Sequence, residues 1–376
     1  MRIGDIVRHR PETYRDPLTG LEVRRLTSAG VLHHHPYFYY KMFSGDGRYL
    51  IHAMELPDGS RQLFRMDLNE GLSVQLTDDK DVHDFSCSLS SDDRRLFYCR
   101  GRQAVELDLS TGKERVVYET PSGWVPNANP GFSSDDKLLV LVEMKESDVI
   151  RSEGGWSAFE PQWAAKPHCR IVLVEIENGK SRIVHEEPDC WLGHPQIRPG
   201  DNSTILFCHE GPWYRIDARL WLVRSDGTGH TCARPHNGLE LVTHEYWLAD
   251  GSRFAYVHRE GESGAETIRL MDPDTLQEEV LMACSRYCHF ISNRDHSRIA
   301  GDGQSKEEPY IYIVDVLRKQ ERVVCVHGTS WKSYGNTQDA HPHPAFTPDG
   351  RSIVFTSDRE GVPAIYMVDV TQLEQI

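Results

Sequence analysis

No run among the 376 residues approaches the roughly 18 uninterrupted apolar positions that a membrane span needs. The opening residues, Met1-Arg2-Ile3-Gly4-Asp5, also lack the apolar stretch of a signal peptide, so no membrane partner and a cytoplasmic location are expected. Basic residues are few: 42 Lys and Arg stand against 57 Asp and Glu, a formal net charge of -15. A broad nucleic-acid footprint needs a basic face against phosphates, and none is expected here. Nine scattered cysteines contain no CxxC pair, which disfavours a disulfide framework, and the Cys284/Cys288 spacing reads as ordinary buried thiols before it reads as a metal motif. Gly-x-Ser-x-Gly is missing too, which argues against a hydrolase of the nucleophile-elbow type. The 29 Gly and 20 Pro are spread along the chain without a linker, so residues 1-376 are expected to form a single domain.

What is present is a repeat. An apolar residue followed by polar residues and an Asp opens seven units, at Phe43-Asp46, Leu89-Asp92, Phe132-Asp135, Ile197-Asp201, Trp247-Asp250, Ile291-Asp295 and Phe346-Asp349. Asp, Asn and Gly tolerate the positive φ of tight turns, so each opening is predicted to be a hairpin. Each is followed downstream by a β-branched or apolar strand, the clearest being Tyr310-Asp315 and Ala364-Asp369. Successive markers lie 43 to 66 residues apart. Spacing near 40 to 50 residues with four strands per unit marks propeller blades. The fold expected is all-β, a seven-bladed β-propeller. Its seventh unit stops after three strands, and residues 18-28 read as a fourth strand that completes it, closing the ring and removing a free edge. The longest interval holds an insertion around Ser147-Lys166, with Trp156, Phe159 and Trp163, expected to form a loop over one face.

Histidines recur at one register of this repeat. His194, His244 and His343 lie three residues before their apolar markers, and His289 lies two before. His341 joins His343 in Gln338-Asp-Ala-His341-Pro-His343-Pro. Histidines at i and i+2 on an extended segment face one way, and the prolines that follow favour extension. With His289 from the neighbouring unit and Gln338 as an oxygen donor, they form a candidate metal site with open positions; imidazole and amide donors permit Mn, Fe, Zn or Ni. The run His33-His34-His35, followed by Tyr37-Phe38-Tyr39, reads as a loop at the start of the first blade.

The segments Trp191-Leu-Gly-His194-Pro, Phe207-Cys-His209-Glu210, Asp217-Ala-Arg219, Thr243-His244-Glu245, Thr329-Ser-Trp331-Lys332 and Gln338-x-x-His341-Pro-His343 resemble oligogalacturonate lyases, polysaccharide lyases of pectin breakdown. The resemblance spans nearly the whole chain and implies a seven-bladed propeller. It also implies Mn2+ held by His289, Gln338, His341 and His343, with His244 as base, Arg219 as substrate-binding arginine and a short acidic oligosaccharide as substrate.

Such a reaction takes the C5 proton of a 4-linked uronate and expels the O4-linked sugar. The charge that builds beside the carboxylate must be neutralised, and a divalent cation and a bidentate arginine do this. A histidine near neutral pH suits the proton transfer. His194 and His209 are candidates for protonating the leaving oxygen. Lys166, Arg170, Arg215 and Lys332 are candidates for a local cationic pocket, and Trp331 for stacking on a sugar. Two other readings stand beside this one: a non-enzymatic binding propeller like TolB, whose repeats share the Ser-Pro-Asp-Gly turn, and a lyase for a different 4-linked oligo-uronate.

Overall fold

Every unit opens on the same hydrogen-bonded turn. In all seven the marker aspartate (46, 92, 135, 201, 250, 295, 349) accepts the backbone N–H two residues on, at 2.8-3.2 Å. The residue between takes left-handed φ: Gly47, Asp93, Asp136, Asn202, Gly251, His296 and Gly350 lie between +56° and +72°. A side-chain oxygen that mimics a backbone acceptor is what makes Asp favourable there. The computed structural model describes residues 1-150, 155-236, 238-304 and 307-374, and the side chains of Trp156 and Glu374 lie outside the described residues.

Seven antiparallel sheets of four or five strands follow from these turns, and the chain is an all-β, seven-bladed β-propeller. Its residues fall into two compact units: Met1-Gly101 with Glu106-Glu114 and Ser285-Ile376, and Arg102-Val105 with Arg115-Cys284. In the first unit, Glu22–Arg25 pairs with Ala364–Asp369 in the register Val23↔Val368, so the N-terminal strand completes the last blade as expected. Glu12–Arg15 adds a further strand outside it, and Ile6–Arg8 pairs with Leu72–Gln75 to add a fifth strand to the first blade. The core between the last blade and the sheet that holds Tyr310–Asp315 is packed from Val23, Ile311, Ile353, Phe355, Tyr366 and Val368.

The second unit holds the sheets that begin with Trp124–Phe132, Leu192–Ile197 and Glu240–Trp247. Between the first two, Val142, Ile171, Leu192, Ile205 and Phe207 form a dry core, because every second residue of each strand faces it. The insertion folds into a short helix, Phe159–Ala164, where a loop was expected. Its Trp163 packs on Gly211, where a Cβ would lie 2.3 Å from the indole, so no larger residue fits.

One irregularity recurs. The first strand of five sheets carries a register shift, between Val82/Cys87, Asn127/Gly131, Gly193/Gln196, Thr243/Tyr246 and Tyr287/Phe290. A β-bulge inserts an extra residue and re-aims side chains, and His194, His244, Cys288 and His289 all sit inside these shifts.

Candidate functional site

In the first unit three imidazoles converge. The rings of His289 and His343 are 4.2 Å apart between centroids, and His341 lies 5.5 Å and 5.6 Å from them. All three are at most 4% exposed. Gln338 Oε1 is 2.9 Å from His343 Nε2, so the amide oxygen joins the group as expected. His343 itself is not extended: its φ is +47°, a left-handed turn between two prolines that corrects the straight His-x-His geometry expected from sequence.

Beneath the imidazoles lies Asp302, fully buried. Its carboxylate accepts the backbone N–H of His289 at 2.5 Å and of His343 at 3.2 Å, and the Nδ1–H of His289 at 3.0 Å. That last bond fixes the tautomer and leaves a lone pair on His289 Nε2. Burial, the larger cause, then its neighbour His289, pushes the His341 pKa down to about 3, and His343 is held well below the ordinary value for the same reason. Both rings are therefore neutral, and His341 Nδ1 is buried without a hydrogen-bond partner. Neutral imidazoles with an orphaned nitrogen and an amide oxygen fit a divalent metal. Trp331 is half-buried with its ring 4.7 Å from that of His341, and Lys332 beside it is exposed.

The second unit places a buried arginine between two carboxylates. Arg219 donates from Nε and Nη2 to Glu245, at 2.9 Å and 3.3 Å, and from Nη1 to Glu210 at 3.3 Å. Burial raises both carboxyl groups, but Arg219 outweighs it and holds them below the usual carboxylate range. His194 Nε2 lies 3.0 Å from Glu210, so one carboxylate bridges the histidine and the arginine. Gly193 permits this approach, since a Cβ there would lie 2.6 Å from Glu210. His244 follows Thr243, is half-buried, and has φ +59°. His194, at φ +47°, shares its conformation, so the two occupy equivalent bulges. Lys166 is exposed just past the helix Phe159–Ala164. His209 lies elsewhere: its ring stacks on Trp221 at 4.5 Å, and its Nε2 is 3.3 Å from Glu187.

Sequence reasoning gave no role to Asp302, Glu210 or Glu245 and read Cys288 as an ordinary buried thiol. Cys288 shares a bulge with His289, and its Sγ is 3.7 Å from His289 Nε2. Its ligand atom and those of His289 and His341 all lie within 4.8 Å of one another. The three histidines His33, His34 and His35 are buried, the first two forming a short strand against Met54 and Ala53 where a loop was expected.

Comparison with known proteins decides the family. A family profile described as oligogalacturonate lyase matches residues 1-373. The chain belongs to the oligogalacturonate lyase family. Two oligogalacturonate lyases, from Pectobacterium atrosepticum and Dickeya dadantii, are each 35% identical over 373 residues, 95% of both chains. A solved oligogalacturonate lyase in complex with manganese superposes with a TM-score of 0.96 at 37% identity, covering all of both chains. In an oligogalacturonate lyase, neutral imidazoles and a buried arginine are groups that elimination beside a carboxylate calls for.

Proposed function

We propose that the chain cleaves short oligogalacturonates, down to digalacturonate, by metal-dependent β-elimination in cytoplasmic pectin catabolism. The observation that carries this reading is the convergence of His289, His341 and His343 with Gln338, in a chain of the oligogalacturonate lyase family. These four residues would hold the ion. A divalent cation there, Mn2+ by likeness to the solved manganese complex, supplies Lewis-acid stabilisation of the charge that develops on the sugar carboxylate.

The remaining steps belong to side chains. His244 takes the C5 proton, the electron pair forms the C4=C5 double bond, and the C4–O4 bond breaks. No water is consumed. Arg219 meets the carboxylate with the N–H groups it does not give to Glu245 and Glu210, and those two glutamates fix its plane. His194, whose Nε2 lies 3.0 Å from Glu210, returns a proton to the leaving oxygen in this proposal. Trp331 stacks on a sugar ring, while Lys332 and Lys166 draw an acidic oligosaccharide toward a chain of net charge -15. His209, turned to Glu187, has no part in this assignment. Nine free thiols accord with a reducing compartment.

The test is a product assay across oligo-uronates with metal-stripped and metal-restored protein. An unsaturated product from digalacturonate, formed only with metal, is expected. Turnover of another 4-linked uronate alone would reassign the substrate and leave the chemistry standing.

A further inference from the structure

The second unit contains another convergence of imidazoles that the proposed reaction does not use. His185 and Glu187, two apart on the strand Ser181–Glu187, face the same way. They meet His209, at the end of Thr204–His209, and His230, just before Thr231–Cys232. The Nε2 atoms of His185, His209 and His230 lie 2.9, 3.3 and 3.8 Å from one oxygen, Glu187 Oε1.

Hydrogen bonding accounts for the His185 contact but not for the convergence of all three rings on one oxygen. One carboxylate oxygen offers about two lone pairs, and a contact of 3.8 Å is too long for a hydrogen bond. His209 Nε2, buried and 3.3 Å away, makes no well-directed hydrogen bond. Two donors each about 2.1 Å from one ion are roughly 3.4 Å apart in tetrahedral geometry, a separation that the observed 2.9, 3.3 and 3.8 Å bracket. The ligand atoms of His185, Glu187 and His230 lie within 4.8 Å of one another, and those of Glu187, Cys190 and His209 do likewise.

The rings are also held in place. His185 stacks on His230 at 4.0 Å, and Trp221 stacks on His230 at 4.8 Å and on His209 at 4.5 Å. The hydrogen bond with His185, and then the neighbouring His209, hold the Glu187 carboxyl below its usual range, so it is an ionised donor, and burial lowers His230. The His230 side chain is 35% exposed, which leaves a path for an ion.

We propose that His185, Glu187 and His230, with His209 closing on the shared carboxylate, bind a divalent transition metal of the zinc class. The ion ties the outer strand of the sheet beginning Trp124–Phe132 to the sheet beginning Leu192–Ile197. Its role is a structural staple, independent of the lyase reading.

The experiment uses the full chain with His341→Ala and His343→Ala, which clears the first set of ligands. Metal-stripped protein is titrated with Zn2+, and separately with Co2+ to read its visible absorption. One equivalent of Zn2+ with a rise in melting temperature is expected, and both are lost when His185→Ala and His230→Ala are added. Glu187→Gln, which keeps the shape and removes the charge, is expected to lose the equivalent even if the alanine protein folds poorly. No bound equivalent in the starting variant, or one that survives both His185→Ala/His230→Ala and Glu187→Gln, overturns the proposal.

Discussion

Asp302 spends both carboxylate oxygens on the segments that carry His289 and His343. Outer partners of this kind orient ligands and typically matter by about 10-100-fold in metal affinity. Asp302→Asn is therefore expected to weaken Mn2+ binding by about that factor, read by metal titration, with turnover recovering at high metal. At His244 the expectation is different: His244→Ala should lower kcat by about 10²-10⁴, the usual worth of a general base, with little change in KM. A variant with normal kcat removes His244 as the base. The register of the histidines was legible because a repeat counts residues. Their left-handed conformation was not, since the residues that take positive φ at His194, His244 and His343 are not glycines. Asp302 and Cys288 were hidden for a related reason. Each looks like one more buried strand position until the fold places it against His289.

At the scale of elements, the N-terminal strand is the clearest joint in the first unit. Val23 is fully buried and pairs with Val368, in a core that includes Phe355 and Tyr366. Val23→Asp puts an unpaired charge there and is expected to cost at least about 3 kcal/mol, seen as a lower melting temperature and denaturant midpoint. An unchanged midpoint would separate that strand from the stability of the unit. The completing strand was readable from its apolar alternation at Leu21 and Val23. Ile6–Arg8 and Glu12–Arg15 were not, because they are three and four residues long, mostly exposed, and declare themselves only through pairing partners far along the chain. The helix Phe159–Ala164 was equally opaque, being too short for a periodic stripe and anchored by Trp163 on Gly211.

For the whole molecule, seven aspartates at one place in the repeat disclosed the fold, since the Asx turn needs only local sequence. Acid stability depends instead on long-range burial. Ser73 Oγ sits 2.7 Å from Nε2 of both His9 and His52, all within the first unit. Burial is the main cause that takes His9 down to about 4 and His52 to about 3, against about 6.5 in an unfolded chain. The unfolded state thus binds protons first, so this contribution is complete above about pH 6.5 and is lost as pH falls toward 4. Denaturant midpoints measured at pH 7.5, 5.5 and 4.5 should decline in that order, and a flat profile excludes the buried histidines as the cause. Function turns most directly on one measurement: digalacturonate turnover by chelator-stripped protein, before and after adding Mn2+. Metal-dependent elimination requires no product before addition and an unsaturated product after it. Full turnover of the stripped protein, or release of only saturated galacturonate, contradicts it.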